Sequence, residues 1–297
     1  MPVTGIVTPP GVRPSRRRLS ALSLVIAVVC LLGVSVALYP ATASWFSAVQ
    51  EAKQVGSYNR AVERIGPVSR LKALERARAY NEELSGGAEV RAGRRVPDAA
   101  GARLPTGFDY DGLLRADAYG LMGRILIPSI AVDLPIYHGT SDPVLVNGVG
   151  HLEGSSLPVG GPGNHAVLAG HRGLASSTLF TDLDKVAPGD SFTLSVFGET
   201  LEYRIVDIRV VDPDQTRSLD PVAGKDLVTL VTCTPIGVNS QRILVTGERV
   251  LPTSLSAQAG ARAAPAGPGF PWWALGFAAA LLAVGTYLWV SRLRAND

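Results

Sequence analysis

Hydrophobic residues are distributed along this chain in three distinct ways. Residues 19–38 and 271–290 are apolar runs without a single Asp, Glu, Lys or Arg. At ~1.5 Å per residue, either run is long enough as a helix to cross a bilayer core of ~30 Å. Residues 44–84 mix apolar and polar positions, with Arg64, Arg70, Arg76 and Arg78 among them, and predict one or two helices broken near Gly66 and Pro67. Residues 85–107 lack hydrophobic periodicity and read as a loop. From 123 to 250 the text turns to short β-branched runs: 123–127, 132–137, 165–169, 191–196, 200–211, 227–233 and 242–250, separated by Gly, Pro, Asp and Asn clusters. Short strands at this spacing predict a mainly β fold closed into a barrel. About 130 residues suffice for one hydrophobic core.

The flanks of the apolar runs predict an arrangement in the membrane. Arg13, Arg16, Arg17 and Arg18 precede the first run, and Arg292 and Arg294 follow the second. Arginines on both outer flanks put both termini in the cytoplasm and the intervening chain outside. The rival for the first run is a cleaved signal peptide, because Ala41-Thr42-Ala43 fits a cleavage site; a run of this length favours a retained anchor. The chain is thus expected to hold a basic tail (1–18), a membrane helix (19–38), a helical segment (44–84), a loop (85–120), a barrel (121–250), a linker (251–270), a second membrane helix (271–290) and a short tail (291–297). A net charge of +3 is too mild to argue for nucleic acid, and no basic-aromatic patch points to it.

Candidate chemistry concentrates in residues 226–249, DLVTLVTCTPIGVNSQRILVTGER. Two strand-like runs flank a connection containing Pro235, Gly237, Asn239 and Ser240. Alternation puts Cys233 on the face of Leu227, Thr229 and Val231, and Arg242 on the face of Leu244 and Thr246. Paired as a hairpin, the runs bring a thiol and a permanent cation to one site. Such a cation favours a thiolate or stabilises an oxyanion beside it. Of the two cysteines, Cys30 lies in the first apolar run, so Cys233 is the lone thiol of the outer segment. There are four histidines. His138 and His151 sit in glycine-rich stretches read as turns, where local backbone bonding is the expected role. His165 and His171 lie six apart across a strand, and spacing alone does not choose between them. With Cys233 they could form a metal site, but zinc on the thiol would leave Arg242 without a role, so no metal is expected.

TLVTC (229–233) followed by TPIGVNSQR (234–242) resembles the signature and downstream arginine of the sortases, cell-surface cysteine transpeptidases. IPSIAVDLPIYHGTSD (127–142), GHLEGSSLPVGG (150–161), AGHRG (169–173) and FTDLDKVAPGD (180–190) continue the likeness in family order, most like the class C, pilin-polymerising sortases. The resemblance implies a closed eight-stranded sortase-type β-barrel with an N-terminal helical segment, flanked by two transmembrane helices. It implies Cys233 as nucleophile, His171 as acid and base, and Arg242 as the stabilising cation, with Thr232 and Leu230 lining the pocket. It also implies cleavage of LPxTG-type signals between Thr and Gly through a thioacyl-enzyme, with no cofactor. The acyl group would pass to an amine, either a pilin lysine or a peptidoglycan precursor, so surface or pilin proteins and the cytoplasmic membrane are the expected partners. Where class C sortases carry an Asp-Pro-aromatic lid, this chain has FDYDGLLRADAYG (108–120), with Asp109 and Tyr110 as the nearest equivalents. Leu104-Pro105-Thr106-Gly107 is a sorting motif shortened by one residue, which suggests that 104–110 occupies the groove as a pseudo-ligand. Two other classes fit a Cys, a His and an Arg less fully: an L,D-transpeptidase-like wall enzyme and a non-catalytic surface protein.

Overall fold

The computed structural model describes residues 20–84, 105–215 and 217–294. In chain order the elements are helices α1 (Ala21–Arg64) and α2 (Pro67–Glu83), strands β1 (Leu121–Ile127) and β2 (Val132–His138), helix α3 (Asp142–Asn147), and strands β3 (Val149–His151) and β4 (His165–Ala169). Strands β5 (Ser191–Val196), β6 (Glu199–Val211), β7 (Leu227–Thr234) and β8 (Gln241–Arg249) follow, then helices α4 (Leu255–Arg262) and α5 (Trp272–Arg294). Two compact units result, Met1–Ala41 with Pro271–Asp297, and Thr42–Phe270.

The described part of the first unit consists of the first part of α1 and the whole of α5, two helices long and apolar enough to cross a membrane. Leu22, Leu32, Val36, Leu282 and Trp289 stand more than half exposed on them, as lipid-facing side chains would. The sequence suggested a separate helix from residue 44, yet α1 runs unbroken through Pro40 to Arg64. Nothing in ATASWFSAVQEAKQ stops a helix, and a proline costs only its own amide bond and a local clash. The predicted break comes instead at Gly66, whose φ of 51° suits glycine, with Pro67 opening α2.

Within the second unit, eight strands close into a barrel in the order β1-β2-β3-β4-β7-β8-β6-β5. Alternation sorts their side chains. Ile125, Leu194, Val228, Leu230, Ile243 and Val245 fill the interior, whereas Val167, Val231 and Leu244 join Leu152 and Leu219 in a smaller cluster on the outer wall. Two strand pairs are parallel, β2 with β3 and β4 with β7. Strand β3, three residues long, is the one the sequence pattern missed. Its Gly150 lies so close to the Gly139 carbonyl that a β-carbon would collide with it. What looked like a glycine turn is therefore a strand in close approach, and His151 lies in it rather than in a turn.

The helices brace this barrel. Tyr58 of α1 donates its hydroxyl to the Met122 carbonyl (3.1 Å) and accepts the Phe197 amide (2.8 Å). Asn81 of α2 binds the backbone of Leu157 twice, at 3.0 and 2.7 Å, in the manner of a strand neighbour.

Candidate active site

Cys233 is the penultimate residue of β7, on the outer wall with Thr229 and Val231. Its antiparallel neighbour on β8 is Arg242, directly opposite in register. On the other side lies β4, parallel to β7, with Ala169 beside Val231. Pairing continues one step past the end of β4: the Gly170 amide donates to the Val231 carbonyl (3.0 Å), and the Thr232 hydroxyl donates to the Gly170 carbonyl (2.8 Å). His171 therefore comes level with Cys233. Thiol and guanidinium are carried by neighbouring strands ~4.8 Å apart, and the imidazole by the chain just past the end of β4, on the other side of the thiol. The connection from β6 to β7 covers this face, its Leu219 packing on Val231 and Leu244.

The thiol is only 8% exposed, and burial pushes its pKa up while Arg242 pulls it down. The Arg242 side chain is itself buried, and its Nη1 donates to the carbonyls of Asn239 and Gln241, each at 2.9 Å. Asn239 takes a left-handed backbone (φ 58°), a conformation asparagine tolerates, which bends the loop back toward the guanidinium. A fixed cation thus stands across from a thiol that is neutral until a base takes its proton.

The other predicted positions divide. His165 accepts the Thr229 hydroxyl at Nε2 (2.7 Å) and donates from Nδ1 to the Asp220 carbonyl (3.0 Å), and burial lowers its pKa. Both nitrogens are engaged, so it is a neutral structural imidazole and not a partner of the thiol. Leu230 is completely buried inside the barrel, and the Thr232 hydroxyl is turned to Gly170. Alternation puts both on the face of β7 opposite Cys233.

Tyr110 likewise does not lie over the thiol. It is buried, stacked on His151 with ring centroids 5.8 Å apart, and its hydroxyl bonds His151 Nδ1 (2.8 Å) and accepts the Gly139 amide (3.1 Å). His151 pairs with Leu168, an interior residue, so the Tyr110 ring lies behind the wall that carries Cys233. Asp109 is exposed and begins a single helical turn, folding its carboxylate over Gly112. Of the suggested pseudo-ligand, Leu104 falls outside the described residues, Thr106 and Gly107 form an exposed turn, and Phe108 packs edge-on against Tyr80. Within 105–110 only Phe108 and Tyr110 pack on the hydrophobic core, while Thr106, Gly107 and Asp109 stay exposed. His138 bonds the carbonyls of Gly120 (2.8 Å) and Leu113 (2.6 Å), the backbone role expected of it, from the end of a strand.

Sequence reasoning did not single out Arg172 or Glu51. Arg172 follows His171 and reaches Thr234, the residue after Cys233. Glu51 of α1 accepts the Ser177 hydroxyl (2.7 Å) from the loop that begins at His171. Only the AGHRG block hinted at the first, and nothing local pointed to the second.

Residues 125–250 match a family model described as the sortase domain. Sortase A of Bacillus anthracis is 33% identical over 134 residues, 45% of this chain and 62% of that protein. Sortase D of Bacillus subtilis is 33% identical over 131 residues, 43% of this chain and 63% of that one. The chain therefore spans less than two thirds of these curated relatives. It covers nearly all of several solved structures. Sortase C-1 of Actinomyces oris is 49% identical with a TM-score of 0.55, the match covering 61% of this chain and 98% of that one. For sortase C1 of Streptococcus agalactiae the identity is 42% and the TM-score 0.59, with 68% and 100% covered.

Proposed function

The chain belongs to the sortase family, and on that premise we propose that it is a membrane-anchored cysteine transpeptidase acting on LPxTG-type sorting signals. The observation that supports this reading is the register that sets Cys233 opposite Arg242, with Gly170, the residue before His171, bonded alongside β7. In the proposed reaction His171 takes the thiol proton and the Cys233 thiolate attacks the carbonyl of the signal's threonine. Arg242 stabilises the resulting oxyanion, since a guanidinium cannot serve as a base. Collapse breaks the Thr–Gly amide, His171 protonates the departing glycine amine, and a thioester remains. An incoming amine then displaces the thiol.

A pilin lysine is the preferred acceptor. The two helices before the barrel and the likeness to solved sortase C chains support that choice over a peptidoglycan precursor. The arginines flanking α1 and α5 support a topology with both termini cytoplasmic and the barrel outside. The test is to incubate the full-length protein in detergent with an LPxTG peptide and examine it by mass spectrometry. An adduct on Cys233 ending at the peptide's threonine, absent from Cys233→Ala, is the expected result; no adduct on the wild-type thiol would overturn the reading. Adding a lysine-bearing pilin peptide or a peptidoglycan-type amine then identifies the acceptor by which one releases the adduct.

A further inference from the structure

We propose that Arg172 is a positioning residue that fixes the separation of His171 from Cys233, an inference that deepens the catalytic reading above and rests on it. His171 follows β4 and Cys233 lies near the end of β7, and the bonding between these two chains ends just before them, at the Gly170–Val231 and Thr232–Gly170 bonds. Past that point the chains diverge, β4 into the loop 171–181 and β7 into the loop toward β8. Arg172 bridges the gap. Its Nη1 donates to the Thr234 hydroxyl (3.0 Å), so the residue after the histidine holds the residue after the cysteine.

The other donors of the guanidinium fix its own position. Nε donates to the Thr181 carbonyl (2.9 Å), and Nη2 pairs with Asp184 (2.5 Å) in the turn that follows. The loop closes at its neck, where the Phe180 amide donates to the His171 carbonyl (3.0 Å) and the Gly173 amide donates to the Thr181 hydroxyl (3.1 Å). The Arg172 side chain is 9% exposed, so water competes little for these bonds. A planar guanidinium offers donors in several fixed directions, which three partners on three segments require; an ammonium on a flexible stem cannot hold all of them. Arg172 itself touches neither reacting atom. Its part is to lock the frame that carries them.

The experiment uses full-length protein in detergent in a Cys30→Ser background, so that alkylation reads Cys233 alone. Arg172→Lys, Thr234→Val and the double variant are compared by the pH profile of iodoacetamide alkylation, by kcat and KM for acylation with an LPxTG peptide, and by melting temperature. The expected result is a thiol titration midpoint moved to higher pH in both single variants, because the imidazole no longer stands beside the thiolate. Acylation kcat should fall about tenfold to a hundredfold, the scale of a 1 Å misplacement, with KM within about twofold. The double variant should be no worse than Arg172→Lys, since Thr234→Val cuts only a bond that Arg172→Lys already removes. Thr234→Val removes a single hydroxyl and keeps the fold testable if Arg172→Lys is unstable. Alkylation profiles identical to wild type, full rescue by lysine, or losses that multiply in the double variant would overturn the proposal. Should wild type form no acyl adduct while the alkylation profiles shift as expected, the sorting-signal reading fails and the positioning role of Arg172 stands.

Discussion

At the scale of single residues, two opposing influences act on Cys233. Burial raises its pKa, and the guanidinium opposite lowers it. Replacing Arg242 by alanine removes the second influence and the oxyanion donor together. Acylation should slow by roughly 10²–10³, the usual loss for one such donor, and the alkylation midpoint should move to higher pH. A loss below about tenfold, far short of that range, would take Arg242 out of the site. Tyr110 makes a contrasting case. The Ser156 carbonyl binds His151 Nε2 (2.9 Å), which makes that nitrogen the donor and leaves Nδ1 to accept the Tyr110 hydroxyl. Tyr110→Phe should therefore strand a buried acceptor and cost about 1–3 kcal/mol of stability. Acylation kcat at temperatures well below melting should stay at wild-type level. A faster enzyme instead would restore the lid expectation.

At the scale of elements, the loop 171–181 is held at both its neck and its tip. Arg172 secures the neck; at the tip, Ser177 is 3% exposed and bonds Glu51 of α1, which also accepts the Ser47 hydroxyl (2.9 Å). A helix that begins as an apolar, membrane-length segment thus supports the loop carrying His171. Ser177→Ala should speed amide hydrogen exchange in 171–181 and leave that of β7 unchanged; equal protection in both proteins would show the contact to be incidental. The elements also mark where sequence patterns succeed. Strands β1, β2 and β4 to β8 were legible because apolar and β-branched runs of five or more residues stand there between glycine, proline, aspartate and asparagine clusters. Strand β3 was not, because three residues around a glycine carry too little pattern, and its pairing with β2 and β4 supplies the order instead.

At the scale of the whole molecule, buried imidazoles set an acid limit to stability. Burial lowers His151 from 6.5 to about 4, and His165 moves in the same direction. Because folding depresses these values, their contribution is complete above pH 6.5 and is lost as pH falls toward about 4. For His151 alone the full loss is about 3 kcal/mol, at ~1.4 kcal/mol per unit. On the alkaline side the raised pKa values of Cys233 and Tyr203 act oppositely, their contributions being complete below their ordinary values and lost as pH climbs past them. Melting temperatures of the full-length protein should form a plateau between about pH 6.5 and 9, bounded by the ordinary imidazole and thiol values. A curve that stays flat from pH 7 to 4.5 would contradict the buried, neutral state of His151.

By itself the sequence determined the mainly β barrel, the two apolar helices, and Cys233 opposite Arg242 on one hairpin, since each depends on periodicity or on neighbours within a few residues of a turn. The family likeness of AGHRG added His171. Tertiary structure alone decided the rest. It put Tyr110 behind the wall that carries the thiol, made a strand of β3, and gave Arg172 and Glu51 their partners. Ser177 and Glu51 meet across 126 positions of sequence, and Arg172 and Thr234 across 62. Local pattern reports which way a side chain points from its own strand. Only closure of the barrel determines what stands in front of it.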